Sequence, residues 1–158
     1  MTCHLVVGLI SLSPTRAVQT RFGPSPLVEV LVGDDTRAGF AVTFWLGGSG
    51  SSPLAALRPG DVVLLRNVAL NAFQGRVYGS SLRRGMTRVD LLYRAREGEG
   101  EGYYDAGDLR RAEGGHAQLE KTRRVRDWAV RFVGRGEAEG KGKGKRGWDV
   151  MPDVDETQ

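Results

Sequence analysis

The chain holds few side chains able to do covalent chemistry, and their spacing does not bring them together. His4 and His116 lie far apart, and with a lone Cys3 they are too few for a structural zinc site. No serine sits in a Gly-x-Ser-x-Gly elbow. The GKGKGKR run lacks the Gly-x4-Gly-Lys-Ser/Thr spacing of a phosphate loop, and no strand leads into it. Asp34 and Asp35 are adjacent carboxylates, but Gly33-Asp34-Asp35 is a turn signal before it is a metal site. No enzyme, no metal and no cofactor is expected. What remains is charge and aromatic surface. Residues 1–96 carry 11 Arg, no Lys and 5 acids, a net of +6, whereas residues 97–158 carry 12 basic and 14 acidic residues, a net of −2. A basic half points to an anionic partner, nucleic acid above all, although Arg without Lys beside abundant Gly and Ala is also what a GC-rich genome produces.

These residues must be positioned by a domain of ordinary size, for 158 residues leave room for one domain and a tail. The single cysteine excludes an internal disulfide and fits an intracellular protein. Apolar runs bounded by turn residues predict strands at His4–Leu12, Leu27–Val32, Gly39–Leu46, Val62–Leu70 and Arg76–Leu82. Thr87–Tyr93 extends the last strand or adds a sixth. In the third, Phe40, Val42, Phe44 and Leu46 alternate with Ala41, Thr43 and Trp45. The first set makes a core face, so Trp45 lands on the opposite one, where a large aromatic needs a reason. Pro53–Leu57 predicts one helical turn, Arg58-Pro59-Gly60-Asp61 a tight turn, and Asn71–Gly75 another. Such spacing fits a small barrel or a sandwich, and periodicity does not choose between them.

The order of VEVLVGDDT (28–36), AVTFWLG (41–47), LRPGDVVLLRNVAL (57–70) and NAFQGRVYGSS (71–81) resembles the single-stranded-DNA-binding OB-folds of the replication protein A type. The resemblance spans residues 4–93 and implies an all-β, five-stranded OB barrel over 1–96, followed by a helix. It also implies two base-stacking aromatics, which fall on Trp45 and Phe73. Arg76 would then meet a phosphate or a base, and Arg37, Arg66, Arg83, Arg84 and Arg88 would line the strand's path. Two features depart from the family pattern: the Gly-rich loop after Trp45 and the segment 97–115.

That segment opens with REGEGEG and is expected to be a flexible acidic insertion. A helix over 116–134 follows. Leu119, Thr122, Val125, Trp128, Ala129, Phe132 and Val133 share one half of its wheel, with Lys121 and Arg126 interrupting and Gly134 as the C-cap. Residues 135–158 read as a disordered tail. Two readings of the apolar helix face compete: packing on its own domain, or docking a protein partner through Val125, Trp128 and Phe132. The longest uncharged stretch, Ala38–Leu57 apart from its ends, is broken by Gly, Ser and Pro, so no membrane association is expected, and the short apolar run Leu5–Ile10 has no basic residues before it to make a signal peptide. The functional expectation is a nuclear single-stranded-DNA-binding subunit of a genome-maintenance complex. A protein-binding OB scaffold is the alternative, and RNA binding a weaker third.

Overall fold

The computed structural model describes residues 1–47, 52, 54–83, 85–94, 102–112 and 114–143, the stretch 134–143 as backbone only. Arg84, most of the Gly-rich loop, the REGEGEG run after Arg96 and residues 144–158 lie outside the described residues. Seven strands and two helices follow in order: β1 (Thr2–Leu12), β2 (Arg16–Thr20), β3 (Gly23–Gly33), β4 (Ala38–Trp45), β5 (Val62–Phe73), β6 (Arg76–Ser80), β7 (Arg88–Tyr93), α1 (Ala106–Arg110) and α2 (Ala117–Lys143). No described helix is long and apolar enough to cross a membrane.

The pairings form a ring. β1 pairs with β3, β3 with β4, β4 with β6, β6 with β5, and β5 returns to β1. All are antiparallel except β4–β6, where Val42 and Thr43 lie beside Gly79 and Ser80 in parallel. The chain is mostly β, and this order with a helix after it is that of an OB-like fold. β5 is long enough to serve two partners in succession, β7 along its first half and β6 along its second. It bends between them at Asn67, whose φ of 60° breaks the alternation. There the Asn67 N–H donates to His4 Nδ1 at 3.1 Å, and Thr87 Oγ1 donates to the Asn67 carbonyl at 2.7 Å.

Alternation then sorts the side chains. Val7, Leu9, Val30, Val42, Phe44, Leu65 and Val68 fill the inside of the ring, with Leu54 entering from the turn after the Gly-rich loop. Val62, Leu92, Tyr93, Leu109 and Val125 form a second cluster outside it, under the helices.

The turn at one end is held by a buried ion pair. Asp61 and Arg94 have side chains 4% and 5% exposed. Arg94 donates from Nε to Asp61 Oδ1 at 3.1 Å and from Nη2 to Oδ2 at 2.7 Å, and Nη2 also reaches the Ala56 carbonyl at 2.5 Å. Asp61 Oδ2 accepts from the Arg58 N–H at 2.9 Å, while the Asp61 carbonyl accepts from the Leu9 N–H at 2.9 Å. The expected Arg58–Asp61 tight turn is thereby formed, with Asp61 N–H returning to the Arg58 carbonyl at 3.1 Å.

Helix α2 packs on its own ring. Val125 is fully buried, and Trp128 lies against Gly8 and Gly33, where a Cβ on Gly33 would come within 2.7 Å of the indole. This corrects the docking role expected for Val125 and most of Trp128, because those surfaces are already occupied. The helix also runs on through Gly134 to Lys143 instead of stopping. Gly134 keeps a helical backbone, since glycine inside a helix is costly by about 1 kcal/mol but not forbidden. Part of the expected insertion is built in as well. Tyr103 and Tyr104 donate N–H bonds to the carbonyls of Leu91 and Leu92, at 3.0 and 2.8 Å, and Asp105 and Asp108 form a reciprocal capping box for α1. Leu109 is fully buried, so the apolar anchors in 102–112 outweigh the acidic run before them.

A second tie joins α2 to the β3–β4 turn. Lys121 Nζ donates to Asp34 Oδ2 at 2.8 Å and to Asp35 Oδ1 at 2.5 Å. Burial alone would push the Asp34 carboxyl up, but hydrogen bonds from Lys121, the Thr36 hydroxyl and the Thr36 and Arg37 N–H groups outweigh it and bring it down to about 2. The same carboxylates hold Lys121 above its ordinary range, against the opposing effect of burial.

Two outcomes are expected. Arg94→Met, which strands a buried carboxylate, should lower unfolding stability in urea by about 3–5 kcal/mol, whereas Arg16→Ala at the exposed Arg16–Glu29 pair should cost less than about 1. The depressed Asp34 makes its stabilisation complete above pH about 4 and lost as pH falls towards 2. Solvent access at this rim keeps that contribution to about 1 kcal/mol. Urea midpoints of the parent should therefore drop more between pH 5 and pH 2.5 than those of Asp34→Asn.

Candidate nucleic-acid interface

With the inside of the ring filled and β1, β7 and the first half of β5 covered by helices, a stretch of outer sheet remains open. Register says which side chains share it. Thr43 pairs with Ser80, Ala69 with Ser80, Asn71 with Tyr78, and Phe73 with Arg76. Paired residues point to the same face and so do residues two apart, so Trp45, Thr43, Ser80, Tyr78, Asn71, Arg76 and Phe73 form one surface. Inward neighbours confirm the phase, since Val42 and Phe44 are buried. Trp45 is 43% exposed, Phe73 62% and Tyr78 36%.

The aromatics are held by backbone features. Trp45 ends β4, and its N–H donates to Ser81 Oγ at 2.9 Å. Phe73 and Arg76 flank a two-residue turn in which Gln74 and Gly75 both have positive φ, 50° and 77°, the mirror-image turn suited to a twisted hairpin. That turn is shorter than the expected 71–75, because β5 continues to Phe73. Trp45 and Phe73 therefore stand at opposite ends of the face. The register places Arg76 about six residues along β4 from Trp45, roughly 20 Å. Tyr78 lies between them. Sequence reasoning passed it over, although the alternation Arg76, Tyr78, Ser80 in β6 carried the signal.

The face has little negative charge of its own. Glu29 pairs with Thr43 in register, and Arg16 Nη2 binds its Oε1 at 2.8 Å. Not all the expected arginines gather here. Arg66 and Arg88 lie opposite one another on β5 and β7, and Arg66 is tied to Asp90 at 2.9 Å. Arg37 sits in the β3–β4 turn, beyond the other end of β4 from Trp45. Arg83 stands over the ring of Phe22 at 5.7 Å. Of the three helix residues expected to dock a partner, Phe132 is the one left exposed, at 38%, stacked on Trp128 at 4.9 Å. Among the described residues no three His, Cys, Asp or Glu side chains could together hold a metal ion.

No protein-family model matches the chain, and no curated protein matches it. Among solved structures it is similar to the OB domain of a protein from Thermoplasma acidophilum, with a TM-score of 0.45 and 12% identity over 65% of this chain and 87% of that one. It is also similar to the replication factor A related protein from Methanobacterium thermoautotrophicum, with a TM-score of 0.43 and 25% identity over 58% of this chain and 79% of that one.

The strained turn gives a test of how the face is held. Gln74 is a side chain in left-handed backbone, so Gln74→Gly should raise stability by up to about 1 kcal/mol, read as a higher urea midpoint with unchanged slope.

Proposed function

We propose that the chain is a binding module for single-stranded DNA, acting by contact and not by catalysis, as a subunit of a complex that maintains the genome in the nucleus. One observation carries this reading: three exposed aromatics, Trp45, Tyr78 and Phe73, lie along one face of the sheet with Arg76 among them. Every base presents a π-face, so such a row holds a strand without reading its sequence, at roughly 1–3 kcal/mol per stack. Arginine adds the salt-sensitive part by neutralising phosphate. A double helix hides the faces of its bases, which is why the surface suits a single strand.

A second reading, a scaffold for other subunits, draws on a smaller feature. Val130 is exposed on α2 in a groove lined also by Tyr93, Arg126, Asp127 and Arg131, and Phe132 is exposed on another side of the helix. The burial of Val125 removes the centre of the docking face that this reading needs.

Fluorescence anisotropy with a labelled oligothymidylate at two salt concentrations tests the proposal. Trp45→Ala and Tyr78→Ala should each weaken binding by roughly 1–3 kcal/mol, with little dependence on base. Arg76→Ala should lower the slope of log affinity against log salt by about 0.7 per lost phosphate contact. A folded Trp45→Ala variant that binds as tightly as the parent would refute the stacking surface. A parent without binding at low salt would leave the scaffold reading.

A further inference from the structure

β2 lies outside the ring and pairs on one side only, with β3, from Arg16–Leu27 to Thr20–Gly23. Pro24 and Pro26 have no N–H to give, so the ladder runs through the pairs Arg16–Leu27, Val18–Ser25 and Thr20–Gly23. Ala17 and Gln19 stand between these pairs and point their N–H and carbonyl groups away from β3. Among the described residues no main-chain group meets them there. β7, also outside the ring, is different, because the Tyr103 and Tyr104 N–H groups bond to its carbonyls. Apart from shortness, Arg16–Thr20 lacks the usual protections of an edge: it holds no proline, no lysine and no bulge. Its one charge, Arg16, is tied to Glu29 of the same chain at 2.8 Å.

We propose that this edge joins two copies of the chain, β2 against β2, as an antiparallel pair about a two-fold axis at Val18. The edge matches itself in that register. Ala17 of each copy faces Gln19 of the other, so every outward N–H finds a carbonyl. Val18 meets its own copy at a non-hydrogen-bonded position, where side chains come closest. It shares a face with Leu27 and Trp45 and is half-buried, so the second valine covers the part still open. Arg16 lands opposite Thr20, and no like charges meet. Centring the pair on Ala17 instead would set Val18 against Arg16 and Gln19 against Thr15, which lies beyond the strand. Main-chain bonds accept any extended strand, and it is the side chains that select the copy. The contact is small, so the dimer is a weak one in exchange with the monomer. It is independent of DNA binding.

Sedimentation equilibrium of the full chain without DNA tests it, at concentrations from about 10 μM to about 1 mM. The mean mass should rise with concentration from 17.2 kDa towards twice that value. Ala17→Pro removes an outward N–H from each copy and should weaken the dimer about 30-fold. The urea midpoint of that variant should move little, because the lost N–H bonds nothing within one copy. Val18→Glu and Val18→Lys should each stay monomeric, since like charges then face one another across the axis, and an equimolar mixture of the two should dimerise again. In the parent itself, the Ala17 and Gln19 amides should exchange hydrogen more slowly as concentration rises. A parent that stays monomeric throughout the range overturns the proposal. So does a dimer that survives Ala17→Pro, or one in which the Ala17 and Gln19 amides exchange as fast as in the monomer.

Discussion

Everything in this structure hangs on a carboxylate and a guanidinium taken out of water together. Asp61 opens β5 and Arg94 follows β7, and the pair also gathers the Ala56 carbonyl and the Arg58 N–H. Two segments distant in sequence, 56–61 and the end of β7, meet there, and the Leu9 N–H bond to the Asp61 carbonyl adds β1. Two isolated charges at this depth would be severely unfavourable, and only near-complete hydrogen bonding makes the arrangement tolerable. That requirement is also what makes it specific. The turn carrying Leu54 into the core cannot shift without stranding a charge, so β5 enters the ring in one register. The aromatic face inherits that register, because Phe73 sits at the far end of the same strand.

The outer surface of the sheet is then divided by what covers it. Along β1 and the first half of β5, small or apolar side chains admit α2, with Trp128 lying in the space left by Gly8 and Gly33. Along β4, β6 and the second half of β5 no helix arrives, and the side chains there are aromatic, hydroxyl, amide and arginine. Asn71 Nδ2 donates to Ser80 Oγ at 3.0 Å across this open face, giving it a fixed polar floor between the rings. The bend at Asn67 separates the two regimes on one strand.

Much of this was legible in the sequence, for reasons that differ by element. Trp45 could be placed because β4 alternates without interruption. The helix face was readable because Thr122, Val125, Ala129 and Val133 recur at helical spacing and are buried. Even its exceptions have causes: Lys121 reaches the Asp34–Asp35 turn, and the Arg126 guanidinium lies over Tyr93 at 5.7 Å. By contrast β2 left no signal, since Arg-Ala-Val-Gln-Thr is a short, largely exposed edge strand. Pro24 and Pro26 disguised the start of β3. Pro26 turns its carbonyl to the Leu46 N–H, so its missing N–H falls on the side where β4 has ended, and the ladder to β2 is spared. Phe22 was hidden with that hairpin. In the 97–115 segment, composition masked a capping box and two apolar anchors, because an average over the segment cannot see that Tyr104 and Leu109 are spaced to pack with Leu92 and Tyr93 of β7.

The charge imbalance of the first 96 residues gains a structural meaning from its five acids. Glu29 holds Arg16, Asp61 holds Arg94 and Asp90 holds Arg66, whereas Asp34 and Asp35 draw on Lys121 and Arg124 of the helix. Each carboxylate of this half is already engaged, two of them by charge from outside it. Packing α2 onto the ring therefore does more than bury apolar surface: it neutralises two acids that would otherwise offset the sheet's arginines. On the side the helix leaves open, Arg76 shares the outer face of the sheet with the exposed rings. The rings thus stay exposed on one face of the sheet because the helix packs on the other.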